Sequence, residues 1–73
     1  MERFAIRLKN LRKQKKVLQK DMAQLLDITE RQYNSYEAGR VDLPTSKLIA
    51  LADYFNVSLD FLCGRSETKE RLP

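Results

Sequence analysis

The sequence predicts an all-α fold, a compact bundle of five short helices. Three observations lead there. Apolar residues recur at helical spacing, as in Phe4, Leu8 and Leu11, or Leu48, Leu51, Ala52 and Phe55. No segment shows the two-residue alternation of a half-buried strand. Helix-start signals stand just before later segments: Thr29 with Gln32, and Ser58 behind Val57.

The first helix is expected over 3–14, with Phe4, Leu8 and Leu11 on one face and basic residues over much of the rest. The segment KKVL breaks that pattern. A second helix runs from Gln19 to Leu26, with Met22, Ala23 and Leu26 inward. Its start lacks a Ser or Thr cap, because Leu18 holds that place. Asp21 in its first turn helps through the helix dipole. Asp27 then takes a left-handed conformation, which Asp tolerates better than most residues. Thr29 and Gln32 form a capping box, and Ile28 with Tyr33 forms the accompanying hydrophobic staple. A third helix therefore starts at Glu30 and ends near Ala38, with Gly39 beyond it. After the loop RVDLPTS, a fourth helix spans 45–55 and Asn56 closes it. Ser58 caps a short fifth helix over 59–63, which stops at Gly64. Residues 1–64 make the predicted domain, and 65–73 a polar tail expected to fray.

Composition narrows the function classes. The chain has 73 residues, 42% hydrophobic and 33% charged, a size that suits one small domain. It contains no histidine and one cysteine, Cys63. The usual Cys/His zinc sites and Ser-His or Cys-His nucleophiles are thereby excluded. The reading is a protein without enzyme activity, metal or cofactor. With no apolar run of spanning length, no secretory-type N-terminus and a lone thiol, a cytoplasmic location away from membranes is expected. Charge is unevenly placed. Residues 1–20 carry eight basic side chains and one acid, whereas residues 21–64 carry three basic and seven acidic. The run Arg12, Lys13, Lys15, Lys16, Lys20 reads either as a solvated helix end or as a footprint for phosphates.

The third helix is the most informative element. Tyr33 and Tyr36 share one face, and their spacing marks them as core. Glu30, Arg31, Asn34 and Ser35 point mostly outward, with Gln32 near the border. Such a row of donors and acceptors can meet base edges in a major groove about 12 Å wide. The preceding helix ends only three residues earlier, which is the spacing of a helix-turn-helix.

From Arg7 to Gly64 the chain resembles the Cro/lambda-repressor-like helix-turn-helix family, also called the Xre family. The matching stretches are RLKNLR, Gln19, MAQLL with Ile28 and Thr29, YNSYEAG, and LIALADYFNVSLDFL. The resemblance implies roles for particular residues. Gln19 is placed at a phosphate while touching the reading helix. Arg12 and Glu37 match a partly buried ion pair tying the first helix to the third. Thr29, Glu30, Arg31 and Ser35 occupy base- or phosphate-facing positions, with Gln32 and Asn34 as their neighbours. Arg40 matches a basic loop contact to the DNA backbone. Three positions depart from the pattern: Asp27 replaces the turn glycine, Leu18 replaces a Ser/Thr cap, and Ile6 lies on a face that is usually polar.

The expectation is a sequence-specific, double-stranded DNA-binding transcriptional regulator, a repressor by preference. Glu30, Arg31, Gln32 and Ser35 contact bases. Lys15, Lys16, Gln19, Lys20, Thr29, Asn34 and Arg40 contact phosphates. A homodimer is expected through the fourth and fifth helices and the tail, with Phe61 and Cys63 as contacts. The alternative is a protein-interaction module, such as an antitoxin or adaptor, that keeps the fold with little DNA binding.

Overall fold

A computed structural model of the chain describes residues 2–71. Five helices follow in order: α1 (Glu2–Lys15), α2 (Gln19–Leu26), α3 (Glu30–Glu37), α4 (Thr45–Phe55) and α5 (Leu59–Leu62). This is the expected all-α bundle, and its helix limits lie within about a residue of those read from the sequence.

All five helices end in the same way. A residue with positive φ follows each last turn: Lys16 (60°), Asp27 (56°), Gly39 (73°), Asn56 (54°) and Gly64 (80°). The amide one residue further on reaches back five residues, as in Ile28 N–H to Ala23 O at 3.0 Å and Val57 N–H to Ala52 O at 3.0 Å. This closure satisfies carbonyls that a helix end otherwise leaves unpaired. Where the left-handed residue is not glycine, a β-branched apolar residue follows it: Val17, Ile28 and Val57. Val57 is buried, and Val17 and Ile28 pack against the core. Each such turn therefore drops an apolar side chain inward, which offsets a left-handed cost of about 1 kcal/mol.

The start of α2 is better served than the dipole argument implies. The Asp21 carboxylate accepts a hydrogen bond from Leu18 N–H at 3.2 Å. Leu18 itself offers no side-chain acceptor, so only half of a capping box is present.

The core is one cluster. Tyr33, Phe4, Leu8, Met22, Leu51 and Leu62 are its most deeply buried large side chains. Tyr33 stands in that set because α3 packs against both α1 and α2. Gly64 lets α5 approach α1: a Cβ there would collide with the Arg3 Cβ.

Two expectations are corrected. Residues 65–71 of the tail lie against the bundle rather than apart from it, and residues 72–73 lie outside the described residues. Arg7 donates to the carbonyls of Phe61 (2.8 Å) and Ser66 (2.6 Å) and pairs with Glu67 (2.7 Å). The Lys69 carbonyl accepts from Ser58 N–H at 2.9 Å. Phe61 is not a free dimer contact. It is buried, with the Arg7 guanidinium 4.0 Å from its ring centroid. Cys63 is half-buried.

Candidate nucleic-acid interface

The orientation of α3 follows from its two ends and its inner face. At its start, the Thr29 hydroxyl accepts from Gln32 N–H at 3.1 Å, and Gln32 Oε1 accepts from Thr29 N–H at 3.0 Å. Both capping partners lie within four residues, so the device is local and fixes where the helix begins. On the inner face Tyr33 and Tyr36 are buried. With that face committed, Glu30, Arg31, Gln32 and Asn34 are exposed. Ser35 is half-buried, and its hydroxyl donates to the Arg31 carbonyl at 3.2 Å. Gln32 spends Oε1 on the cap, while its side chain stays exposed.

A polar lock holds α3 from behind. Arg12 Nε donates to Glu37 Oε2 at 2.6 Å, and its Nη2 donates to Glu37 Oε1 at 3.2 Å. The Glu37 side chain is 4% exposed and that of Arg12 13%. Arg12 Nη1 also donates to the Val17 carbonyl at 3.1 Å, which ties the α1–α2 turn into the lock. Gln19 Nε2 donates to Glu37 Oε1 at 3.2 Å, so α1, α2 and α3 meet on one carboxylate. Burial acts against the charge on Glu37, but the hydrogen bonds from Arg12 and Gln19, with the Tyr33 hydroxyl close by, outweigh it and lower its pKa. The hydrogen bond to Glu37 raises the pKa of Arg12 despite partial desolvation. The Tyr33 hydroxyl is buried beside this pair without a hydrogen bond of good geometry. Its burial, with the Glu37 carboxylate next to it, raises its pKa strongly.

The basic residues around α3 divide. Lys16, Lys20 and Arg40 are exposed. Lys16 and Arg40 each belong to a helix-end turn, so their backbones are fixed even where their side chains are free. Lys15 is exposed but engaged: its ammonium lies 4.5 Å from the Tyr54 ring centroid on α4. Gln19 is half-buried by its bond to Glu37. The structure thus brings Gln19, Glu37 and Arg12 together. It keeps Thr29, Glu30, Arg31, Gln32 and Asn34 on one exposed stretch, and it draws Lys15 toward α4.

Three residues that the sequence reading did not single out stand at notable places. Arg7 anchors the tail through partners 54 to 60 residues away. Lys47 Nζ donates to the Leu26 carbonyl at 2.9 Å and so ties α4 to the end of α2. Val41 is an exposed apolar residue beside the polar face of α3, where it shares a recess with Gln32 and Ser35. Among the described residues, no group of three or more His, Cys, Asp or Glu could hold a metal ion, and no helix is long and apolar enough to cross a membrane.

Two helices joined by a three-residue turn, the second locked by its inner face with its polar face outward, define a helix-turn-helix. A helix-turn-helix family model matches residues 8–62, and the chain belongs to that family, of the Cro/lambda-repressor-like (Xre) kind. It is similar to the HTH-type transcriptional regulator YqaE of Bacillus subtilis, 39% identical over 69 residues, covering 94% of this chain and 59% of that protein. It is also similar to the cryptic phage CTXphi transcriptional repressor RstR of Vibrio cholerae, 42% identical over 65 residues, covering 88% of this chain and 57% of that one. A crystal structure of a transcriptional regulator from Listeria innocua superposes with a TM-score of 0.83 at 34% identity, covering 88% of this chain and 60% of that one. The chain therefore spans somewhat under two thirds of the length of these proteins.

Proposed function

We propose that the chain binds double-stranded DNA in a sequence-specific way as a transcriptional regulator, and acts as a repressor. The observation that carries the reading is the outward polar face of α3, held rigid by two buried tyrosines and the Arg12–Glu37 pair. Preorganised side chains lose little entropy on binding, which suits recognition of a fixed surface such as a groove. Names of similar proteins in Bacillus subtilis, Listeria innocua and Vibrio cholerae support the same reading.

Arg31 is the principal base reader, since its guanidinium forks onto guanine O6 and N7. Glu30 accepts from a cytosine N4 and repels phosphate, which rejects misplaced registers. Gln32 and Ser35 complete the base-facing set. Lys16, Lys20, Arg40 and Lys15 neutralise phosphates, while Gln19, Thr29 and Asn34 hydrogen-bond to them.

The functional unit is a homodimer. The longest dimension of one copy is 32 Å, close to one DNA turn of about 34 Å, so one copy serves one half-site of a palindrome. With Phe61 covered, the support for a second copy moves to an open groove between α4 and α5. Exposed Ile49 and Leu59 border it, beside Asp53, Asp60 and Arg71.

Titrating mixed-sequence duplex against salt tests the reading. Each neutralised phosphate contributes about −0.9 to the slope of log K against log salt, so four cations per copy give about −3 to −4. A protein-interaction module that has lost DNA shows no such dependence, and that result overturns the proposal.

A further inference from the structure

One feature beside the reading face has no part in the roles assigned above. A recess of about 370 Å³ opens between the second half of α3 and the loop that follows it. Gln32 and Ser35 form its helix side, Tyr36 lies at its buried edge, and Val41, Asp42 and Pro44 form its loop side. Val41 is 44% exposed. It is nevertheless firmly placed. On one side Arg40 N–H is bonded to the Ser35 carbonyl at 3.0 Å; on the other Leu43 is buried in the core. An exposed, β-branched side chain on a backbone held at both sides thus stands next to two base-facing polar residues. The Asp42 carboxylate on the same wall disfavours a phosphate there by like charge. What fits is the one apolar group that a base pair displays in the major groove, the C5-methyl of thymine.

We propose that Val41, against the Tyr36 edge of this recess, receives the C5-methyl group of a thymine and sets a T·A preference at one position of each half-site. The inference rests on the duplex-binding reading above and deepens it by naming a specificity residue outside α3.

Replacing each thymine of a selected duplex by deoxyuridine removes only the methyl group. With the unaltered protein, one position per half-site loses affinity by about four-fold, the worth of one buried methyl-sized group. With Val41→Ala that loss disappears, while the other positions respond as before. Val41 is exposed on a loop, and an unchanged melting temperature confirms that the variant is folded. Three results overturn the proposal: a flat uracil scan, a penalty that persists in Val41→Ala, or a uniform loss on all duplexes, which marks a sugar–phosphate contact instead. A protein that retains no duplex at all overturns the DNA-binding reading itself. Tight binding indifferent to the methyl group overturns only the role of Val41.

Discussion

Replacing Glu37 by alanine removes the carboxylate on which three helices converge. Arg12 then keeps one hydrogen bond, to the Val17 carbonyl, and Gln19 Nε2 loses its partner. The guanidinium stays largely out of water, its side chain being 13% exposed. Removing one member of a buried pair costs about 3–5 kcal/mol, and the residual exposure and carbonyl bond of Arg12 place this case near the lower end, at about 3 kcal/mol. A domain of this length has about 4–11 kcal/mol in total, so the loss is large. Urea denaturation at pH 7 measures it, and thermal melting registers a drop of more than about 10 °C. The milder Glu37→Gln keeps the shape and loses the charge, at about 1–3 kcal/mol. Its pH dependence carries a sign. The folded pKa of Glu37 lies below its ordinary value of 4.5. The extra stability of the unaltered protein is therefore fully present above that ordinary value and fades as pH falls through the folded pKa. The gap between the two proteins is expected to hold from pH 7 to about pH 5 and to close below that range. A Glu37→Ala loss under about 1 kcal/mol, typical of a surface pair, refutes the reasoning. So does a gap to Glu37→Gln that widens in acid.

Three further substitutions probe the turns, the α1–α5 contact and the groove between α4 and α5. Lys16→Gly relieves a left-handed lysine and raises stability by about 1 kcal/mol, while the lost cation weakens duplex binding and reduces the salt slope by about one; a lowered melting temperature contradicts the turn argument. Gly64→Ala brings a Cβ against Arg3 at a φ of +80° and destabilises by about 2 kcal/mol or more, read by urea melts. Ile49→Asp with Leu59→Asp shifts sedimentation equilibrium toward monomer without unfolding the chain, because both residues are exposed; an unchanged dimer places the interface elsewhere.

What the sequence disclosed and what it withheld divide along chain distance. Thr29 with Gln32, Asp27 before Ile28, and Ser58 before Phe61 are local devices whose partners lie within a few residues. The inner faces of α1, α2 and α4 were legible for the same reason, since one helical period spans them. Lys16 was not legible as a turn residue, because lysine carries no signal for a left-handed conformation. The ordered tail was invisible because its anchors are backbone carbonyls held by Arg7, far away in sequence. Phe61 reads as available until Arg7 is seen to cover it. The Arg12–Glu37 pair spans 25 residues, so only resemblance to a family suggested it. Val41 lies in a loop, where periodicity has nothing to say about exposure.

The most direct measurement is selection of bound sequences from a random duplex pool, run in parallel for the unaltered protein and for Arg31→Ala. Enriched palindromes with half-sites about one turn apart are expected, and for the variant a loss of about 1–3 kcal/mol with one base position relaxed. Absence of enrichment, or the same motif at the same affinity with Arg31 removed, contradicts that expectation.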